Sequence, residues 1–181
     1  GFASSPVIWE AQVIVQCDVQ ADSFVAAFDI ATGKETWRVT RDEVPTWSTP
    51  SVFVEEEREV LVLNGFKHIG GYDPRTGAEL WKTKGGGDIP VPTPVSGEGL
   101  VFLTSAHGMF APIRAVRSSA TGELPPNAVE GSALVWKEDR RGNYMQTPLY
   151  HDGYLYCCND SGILACYQAS DGKELYRELW D

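Results

Sequence analysis

Ala27-Phe28-Asp29-Ile30-Ala31-Thr32-Gly33-Lys34-Glu35-Thr36-Trp37 reads as the end of one strand, a tight Asp/Thr-Gly turn, and a second strand closing on a tryptophan. The unit returns as Gly71-Tyr72-Asp73-Pro74-Arg75-Thr76-Gly77-Ala78-Glu79-Leu80-Trp81, displaced by 44 residues at both the glycine and the tryptophan. It returns again, altered, as Cys166-Tyr167-Gln168-Ala169-Ser170-Asp171-Gly172-Lys173-Glu174-Leu175-Tyr176. A strand-turn-strand unit recurring at such a period points to an array of small sheets.

Working outward, four segments align on a small residue followed by proline: Ser5-Pro6, Thr49-Pro50, Thr93-Pro94 and Thr147-Pro148. Each proline leads into a short apolar strand and a turn, such as Ser96-Gly97-Glu98-Gly99 or His151-Asp152-Gly153. A second strand follows each time: Val13-Ile14-Val15, Val60-Leu61-Val62-Leu63, Leu100-Val101-Phe102-Leu103 and Tyr154-Leu155-Tyr156-Cys157-Cys158. These continuous β-branched or aromatic runs suit strands buried on both faces between packed sheets. A polar loop, a third strand and the quoted motif complete each unit. The reading is therefore four antiparallel meanders of about 40 to 45 residues, the size of propeller blades, over about 1–40, 41–84, 85–138 and 139–181. Helical periodicity is weak throughout.

The third unit departs from this pattern. Its third strand is expected at 113–117, its Thr121-Gly122 turn falls one residue late, and 124–131 intervene before a fourth strand at 133–137. The extra residues are expected to project into water and leave the blade core untouched.

Composition narrows the function. The formal net charge of −10 argues against docking on a nucleic-acid backbone and against binding to anionic membrane. No apolar run approaches the roughly 18 residues of a membrane span. The opening Gly1-Phe2-Ala3-Ser4-Ser5-Pro6 lacks a basic-then-apolar leader, so a mature or excised chain is expected. Cys17, Cys157, Cys158 and Cys166 form no CxxC pair or Cys/His ligand spacing.

The chain resembles the PQQ-like (quinoprotein-type) β-propeller repeat family. That family's docking motif is Ala-x-Asp-x-x-Thr-Gly-Lys-x-x-Trp, and residues 27 to 37 match it throughout. Residues 71 to 81 place Gly71 at Ala and Ala78 at Lys, residues 166 to 176 keep Gly172 and Lys173, and the third unit keeps Ala115 and Trp136. The resemblance implies an all-β propeller of four-stranded antiparallel blades. Ala27, Asp29, Gly33, Trp37, Asp73, Gly77, Trp81, Trp136, Gly172 and Tyr176 are its docking residues. In that role each tryptophan lies across the gap between blades and covers a neighbour's glycine, a burial worth roughly 2–3 kcal/mol. Asp and Thr close the turns.

Family rings have seven or eight blades, and four blades are about half of one. Three completions stay open: further blades of the same propeller, a homodimer closing the ring, or four blades closing alone.

The resemblance implies two functions. One is a non-catalytic scaffold, periplasmic or extracellular, presenting a loop rim and channel to a protein or peptide partner and needing no cofactor. The other is a piece of a quinoprotein alcohol or sugar dehydrogenase using PQQ and Ca²⁺. Adjacent Cys157 and Cys158 suggest the second, because quinoprotein dehydrogenases carry such a disulfide against their cofactor. Here, however, the pair continues an apolar strand, whose side chains alternate between faces. Two buried thiols are expected, with Cys17 and Cys166 in the same kind of place, and no stretch supplies a catalytic Asp or calcium ligands. His68, His107 and His151 fall in different turns, so no joint metal site is expected. The links between blades should gather at the channel mouth, with Trp47, Asp88, His107, Arg140, Arg141, Asn143 and Tyr144 as candidate ligand-rim residues. Glu55-Glu56-Glu57-Arg58-Glu59 is expected to be a solvated hairpin tip.

Overall fold

The computed structural model describes residues 4–55, 58–107 and 110–180, and all regular structure in them is β. The first three residues, Glu56 and Glu57 lie outside the described residues. Four antiparallel blades follow in chain order. The first is β1 (Val7–Trp9), β2 (Gln12–Cys17), β3 (Phe24–Asp29) and β4 (Glu35–Thr40). The second is β5 (Ser51–Glu55), β6 (Arg58–Leu63), β7 (His68–Tyr72) and β8 (Glu79–Lys84). The third has β9 (Val95–Gly97), β10 (Leu100–Thr104) and β11 (Ile113–Arg117), then after β12 (Gly122–Glu123) its outer strand β13 (Leu134–Glu138). The fourth is β14 (Leu149–His151), β15 (Tyr154–Cys158), β16 (Ile163–Gln168) and β17 (Glu174–Leu179).

The repeated motif produces the same local geometry in every blade. Its first residue faces its last across the two outer strands: Ala27 opposite Trp37, Gly71 opposite Trp81, Ala115 opposite Trp136 and Cys166 opposite Tyr176. A β-bulge follows that pair in all four blades. The bulge twists the outer strand, and in blades one and three the aromatic ring lies on the neighbouring blade. The Asp/Thr-Gly turns close as their chemistry demands. Gly33 and Gly77 have φ of 68° and 75°, and Asp29 accepts hydrogen bonds from the backbone N–H and hydroxyl of Thr32.

Three apolar clusters fill the three junctions. Ile14, Val25 and Ala27 meet Leu61, Leu63 and Tyr72 between blades one and two. Val60, Val62, Ile69 and Trp81 meet Val101, Leu103 and Val116 between two and three, and Phe102, Ile113 and Trp136 meet Leu155, Cys157 and Tyr167 between three and four. The inner strands are tied by the small residues beside the recurring prolines. Ser5 N–H donates to Thr49 Oγ1 at 3.4 Å, Ser48 Oγ to Pro92 O at 2.8 Å, and Thr93 N–H to Thr147 Oγ1 at 3.1 Å.

The tryptophans are placed differently from one another. Trp37 lies over the turn of the next blade: a Cβ on Gly77 would sit 2.6 Å from its Cε3, and its Nε1 donates to Pro74 O at 3.1 Å. Trp136 repeats this on Gly172, with Nε1 donating to Ala169 O at 2.7 Å. Trp81 does not cover a neighbour's glycine. It folds against Gly71 of its own blade, leaving no room there for a Cβ, and its Nε1 is buried without a partner among the described residues.

The cause is the third unit's insertion, which does not simply project into water. Gly122 and Glu123 pair in parallel with Trp81 and Lys82, adding a fifth strand to blade two. Leu124 donates its N–H to Lys82 O and is buried with Trp81 in the junction. The residues flanking the expected hairpin tip are likewise not free in water. Glu55 accepts from Gly99 N–H and Ser118 Oγ of blade three, and Glu59 pairs with Arg75 at 2.5 Å.

The outward faces of the end blades stay apolar, with Ile8 exposed on the first and Leu149 and Tyr176 on the last. Nothing lies within 4 Å of where a Cβ on Gly33 would stand, so that turn is an uncovered counterpart of Gly77 and Gly172.

Candidate binding cleft and rim

Each link leaves an outer strand and enters the next blade's inner strand, so the three links meet at one end of the fold. The N–H of Trp47 donates to Pro90 O at 2.9 Å, seating the first link on the second with the indole partly exposed. Asp88 is exposed on that second link. His107 forms a β-bridge to Phe110, and its ring lies 5.3 Å from that of Tyr144. Arg140 is exposed and bridges through its backbone to Ala111.

Two of the expected rim residues stand elsewhere. Arg141 turns outward to Glu174 at 2.5 Å, a carboxylate it shares with Arg177. Asn143 is completely buried; its N–H donates to Thr104 Oγ1 at 2.8 Å and its Nδ2 to Gln146 O at 2.9 Å. It anchors the link and cannot meet a ligand. Sequence reasoning had no signal for either, because a link's direction is set by what it packs on. The three histidines do not converge: His68 opens β7 beside Glu43, and His151 ends β14 at the opposite end of the blades.

Two grooves open at the junctions near these loops, and they contrast. The groove between blades one and two holds about 580 Å³ and is lined by Arg41 and Tyr72, which belong to a buried ionic cluster. Arg41 donates to Asp18 at 2.8 Å and to the Tyr72 hydroxyl at 3.1 Å, and its Nη2 is 3.8 Å from Glu43. Asp18 also accepts from Gln16 and Thr46, while Glu43 accepts the N–H groups of Lys67 and His68. Burial works against the charge on Arg41, yet Asp18, Tyr72 and Glu43 together hold its pKa above the ordinary arginine value.

The groove between blades two and three is larger, about 830 Å³, and its chemistry is different. Where the first link carries Arg41, the second runs Gly85-Gly86-Gly87, so the space stays open. Phe110, Pro112 and Pro126 give it apolar sides, and Lys84, Arg114, Lys137 and Arg140 give it four cations against the single carboxylate of Asp139. Only Arg140 among these was singled out from sequence.

The cysteines decide whether the cofactor implied by the resemblance fits. All four are free. Cys157 pairs with Ala165 and is buried between blades three and four, while Cys158 pairs with Leu164 and is exposed. The expectation of two buried thiols is corrected for Cys158, because strand alternation carries it to the outward face. Side chains on opposite faces of a strand cannot close a disulfide over a quinone plane. No group of three His, Cys, Asp or Glu side chains among the described residues is placed to hold a metal ion. As placed, Cys157 and Cys158 supply no disulfide to lie against such a cofactor. Burial pushes the Cys157 thiol up to about 12. Thiol labelling of the folded protein, followed by peptide mapping, should therefore modify Cys158 first, with Cys157 and Cys166 reacting only on unfolding. Equal rates at Cys157 and Cys158 would contradict the strand register.

Comparison with known proteins fits this architecture. A family model described as outer membrane protein assembly factor BamB matches residues 1–178. The structure of BamB from Moraxella catarrhalis superposes with a TM-score of 0.62 at 19% identity, covering 98% of this chain and 51% of that one. A europium-containing methanol dehydrogenase gives 0.68 at 12% identity over 99% and 42%. The quinohemoprotein alcohol dehydrogenase from Comamonas testosteroni gives 0.66 at 13% identity over 99% and 35%. The chain thus spans about half of the first of these structures and less of the others. A search of the curated proteins finds no match. With the family model covering nearly the whole chain and the motif geometry repeated in all four blades, the chain belongs to the PQQ-like β-propeller repeat family, the one that includes the assembly factor BamB.

Proposed function

We propose that residues 1–181 form one run of PQQ-like repeats acting as a non-catalytic scaffold, periplasmic or extracellular, that holds a protein or peptide partner on its link-end loops. One observation carries this reading. Phe110 and Met145 are 58% and 54% exposed on link-end loops that also carry partly exposed Trp47 and the His107–Tyr144 pair. None of these side chains fills a blade junction, so the fold does not require them. Aromatic and methionine side chains gathered on loops over a rigid sheet scaffold are the composition of a protein-binding surface. The alcohol-oxidising reading of the family has no such support, since Cys157 and Cys158 lie on opposite faces of their strand.

The test is peptide-library panning followed by hydroxyl-radical footprinting of the complexes. Protection is expected at Trp47, Phe110, Tyr144 and Met145, with Ile30 and Val54 at the opposite end unprotected. Protection only at that opposite end, or alcohol-dependent dye reduction that requires added PQQ and Ca²⁺, would overturn the reading.

A further inference from the structure

We propose that the cleft between blades two and three is a carboxylate-binding site that takes an acidic segment of the partner, a reading that deepens the scaffold function and rests on it. Arg114 carries the case. It is only 5% exposed, yet no carboxylate pairs with it among the described residues. Its Nη2 donates to Gly85 O at 3.0 Å, and its Nε is buried with no partner among the described residues. A buried guanidinium with no ion-pair partner is costly to fold around, and a ligand carboxylate would complete it.

Register makes the placement more unusual. The positions equivalent to Arg114 are Ala26, Gly70 and Ala165, each facing a basic residue across the outer strands: Arg38, Lys82 and Arg177. In the other three blades a small residue leaves that cation alone, and an acid at i−3 neutralises it at 2.6, 3.3 and 3.0 Å. In blade three Arg114 faces Lys137 directly. Like charges directly opposite on a sheet repel. Asp139, the one carboxylate lining the cleft, pairs with Lys137 at 2.6 Å and acts on Arg114 only from beyond pairing distance, so Arg114, Lys84 and Arg140 make no ion pair among the described residues.

The second link then gives access. A Cβ on Gly86 would stand 2.4 Å from Pro112 Cγ and 2.9 Å from Arg114 Nη1, so a side chain there would crowd the guanidinium that glycine leaves room for. The planar fork of arginine matches a carboxylate, and the lysine and second arginine at the lip add charge. Phe110, Pro112 and Pro126 offer apolar contact to the neighbouring parts of a peptide chain. The volume, about 830 Å³, accepts several residues.

The experiment is fluorescence anisotropy with labelled nonapeptides on the intact chain. The probes are a Glu/Asp-rich peptide with an amidated C-terminus, its Gln/Asn counterpart, and the counterpart with a free C-terminal carboxylate. Inorganic phosphate serves as competitor. The acidic peptide should bind at least about tenfold more tightly than the amide counterpart, with affinity falling as salt rises. Arg114→Met should lose about tenfold while melting at the same temperature or higher, because it removes an unpaired buried charge. Arg114→Lys should fall between. Binding through the free-carboxylate probe alone supports the site and names the terminal carboxylate as its ligand. Equal binding by Arg114→Met, or displacement by phosphate without peptide binding, overturns the site. Peptides that footprint elsewhere on the link end overturn it but leave the scaffold reading intact, whereas no peptide binding at any surface sinks both.

Discussion

Trp136→Ala will destabilise the protein by about 3–5 kcal/mol, the usual range for emptying a buried aromatic site. For a chain of this size that is a melting-temperature loss of roughly 6–20 °C. The ring is 6% exposed, lies 6.1 Å from Phe102 and 6.4 Å from Tyr167, and donates to Ala169 O. Truncation therefore opens a cavity between two blades and leaves a carbonyl without its donor. Trp136→Phe keeps most of the packing and should cost about 1–2 kcal/mol for the lost bond. Trp37→Ala is the comparison, because Trp37 occupies the same motif position but is only half-buried. It should cost distinctly less. In stacked repeats each unit is held by its neighbours, and among the described residues blade four packs its core against blade three. Amide exchange should then show β14–β17 opening first in Trp136→Ala. Equal losses for Trp136→Ala and Trp37→Ala, or uniform opening of all four blades, would refute the junction as described.

The blades were legible because the motif constrains backbone and side chains together. An Asp/Thr-Gly turn fixes the hairpin, and the aromatic that closes the eleven-residue motif fixes the outer strand, so residues 27 to 37 place β3, β4 and their neighbour in one reading. The insertion of the third unit was not legible in the same way. Its Thr121-Gly122 turn keeps the motif's chemistry, but Gly122 and Glu123 leave their own blade to pair with β8. A parallel pairing between blades has no local periodicity to announce it. The cleft was hidden for a related reason. Arg114 stands in an apolar strand among Ile113, Ala115 and Val116, where one charged residue reads as strand-edge polarity. Its lack of an ion-pair partner is a property of three elements at once. The buried cluster of Asp18, Arg41 and Glu43 escaped notice because its members lie on two loops that composition marks as solvated.

That cluster sets the second large effect. Arg41→Ala should destabilise the protein by about 3–5 kcal/mol, since it leaves Asp18 and Glu43 buried without their cation. Both carboxylates and the guanidinium have side-chain exposures of 1% or less. The penalty comes from the stranded charges, so it should be partly relieved by a second substitution. Asp18→Asn in the Arg41→Ala background should recover part of the loss, whereas Asp18→Asn alone should destabilise by leaving Arg41 half-paired. His68 reports on the same cluster. Burial first, and the Arg41 cation second, push its pKa below the usual histidine value, while Glu43 opposes them. A folded pKa below the unfolded value of about 6.5 means that the unfolded chain binds the proton first. Stability from this group is therefore complete above pH 6.5 and drains away as pH falls through the folded pKa. Removing Arg41 removes one of the two depressing influences, so His68 should titrate at higher pH in Arg41→Ala, as followed by its imidazole NMR resonances. An unchanged His68 titration together with a stability loss below about 1 kcal/mol would mean that Arg41 is not the cation on which this junction is built.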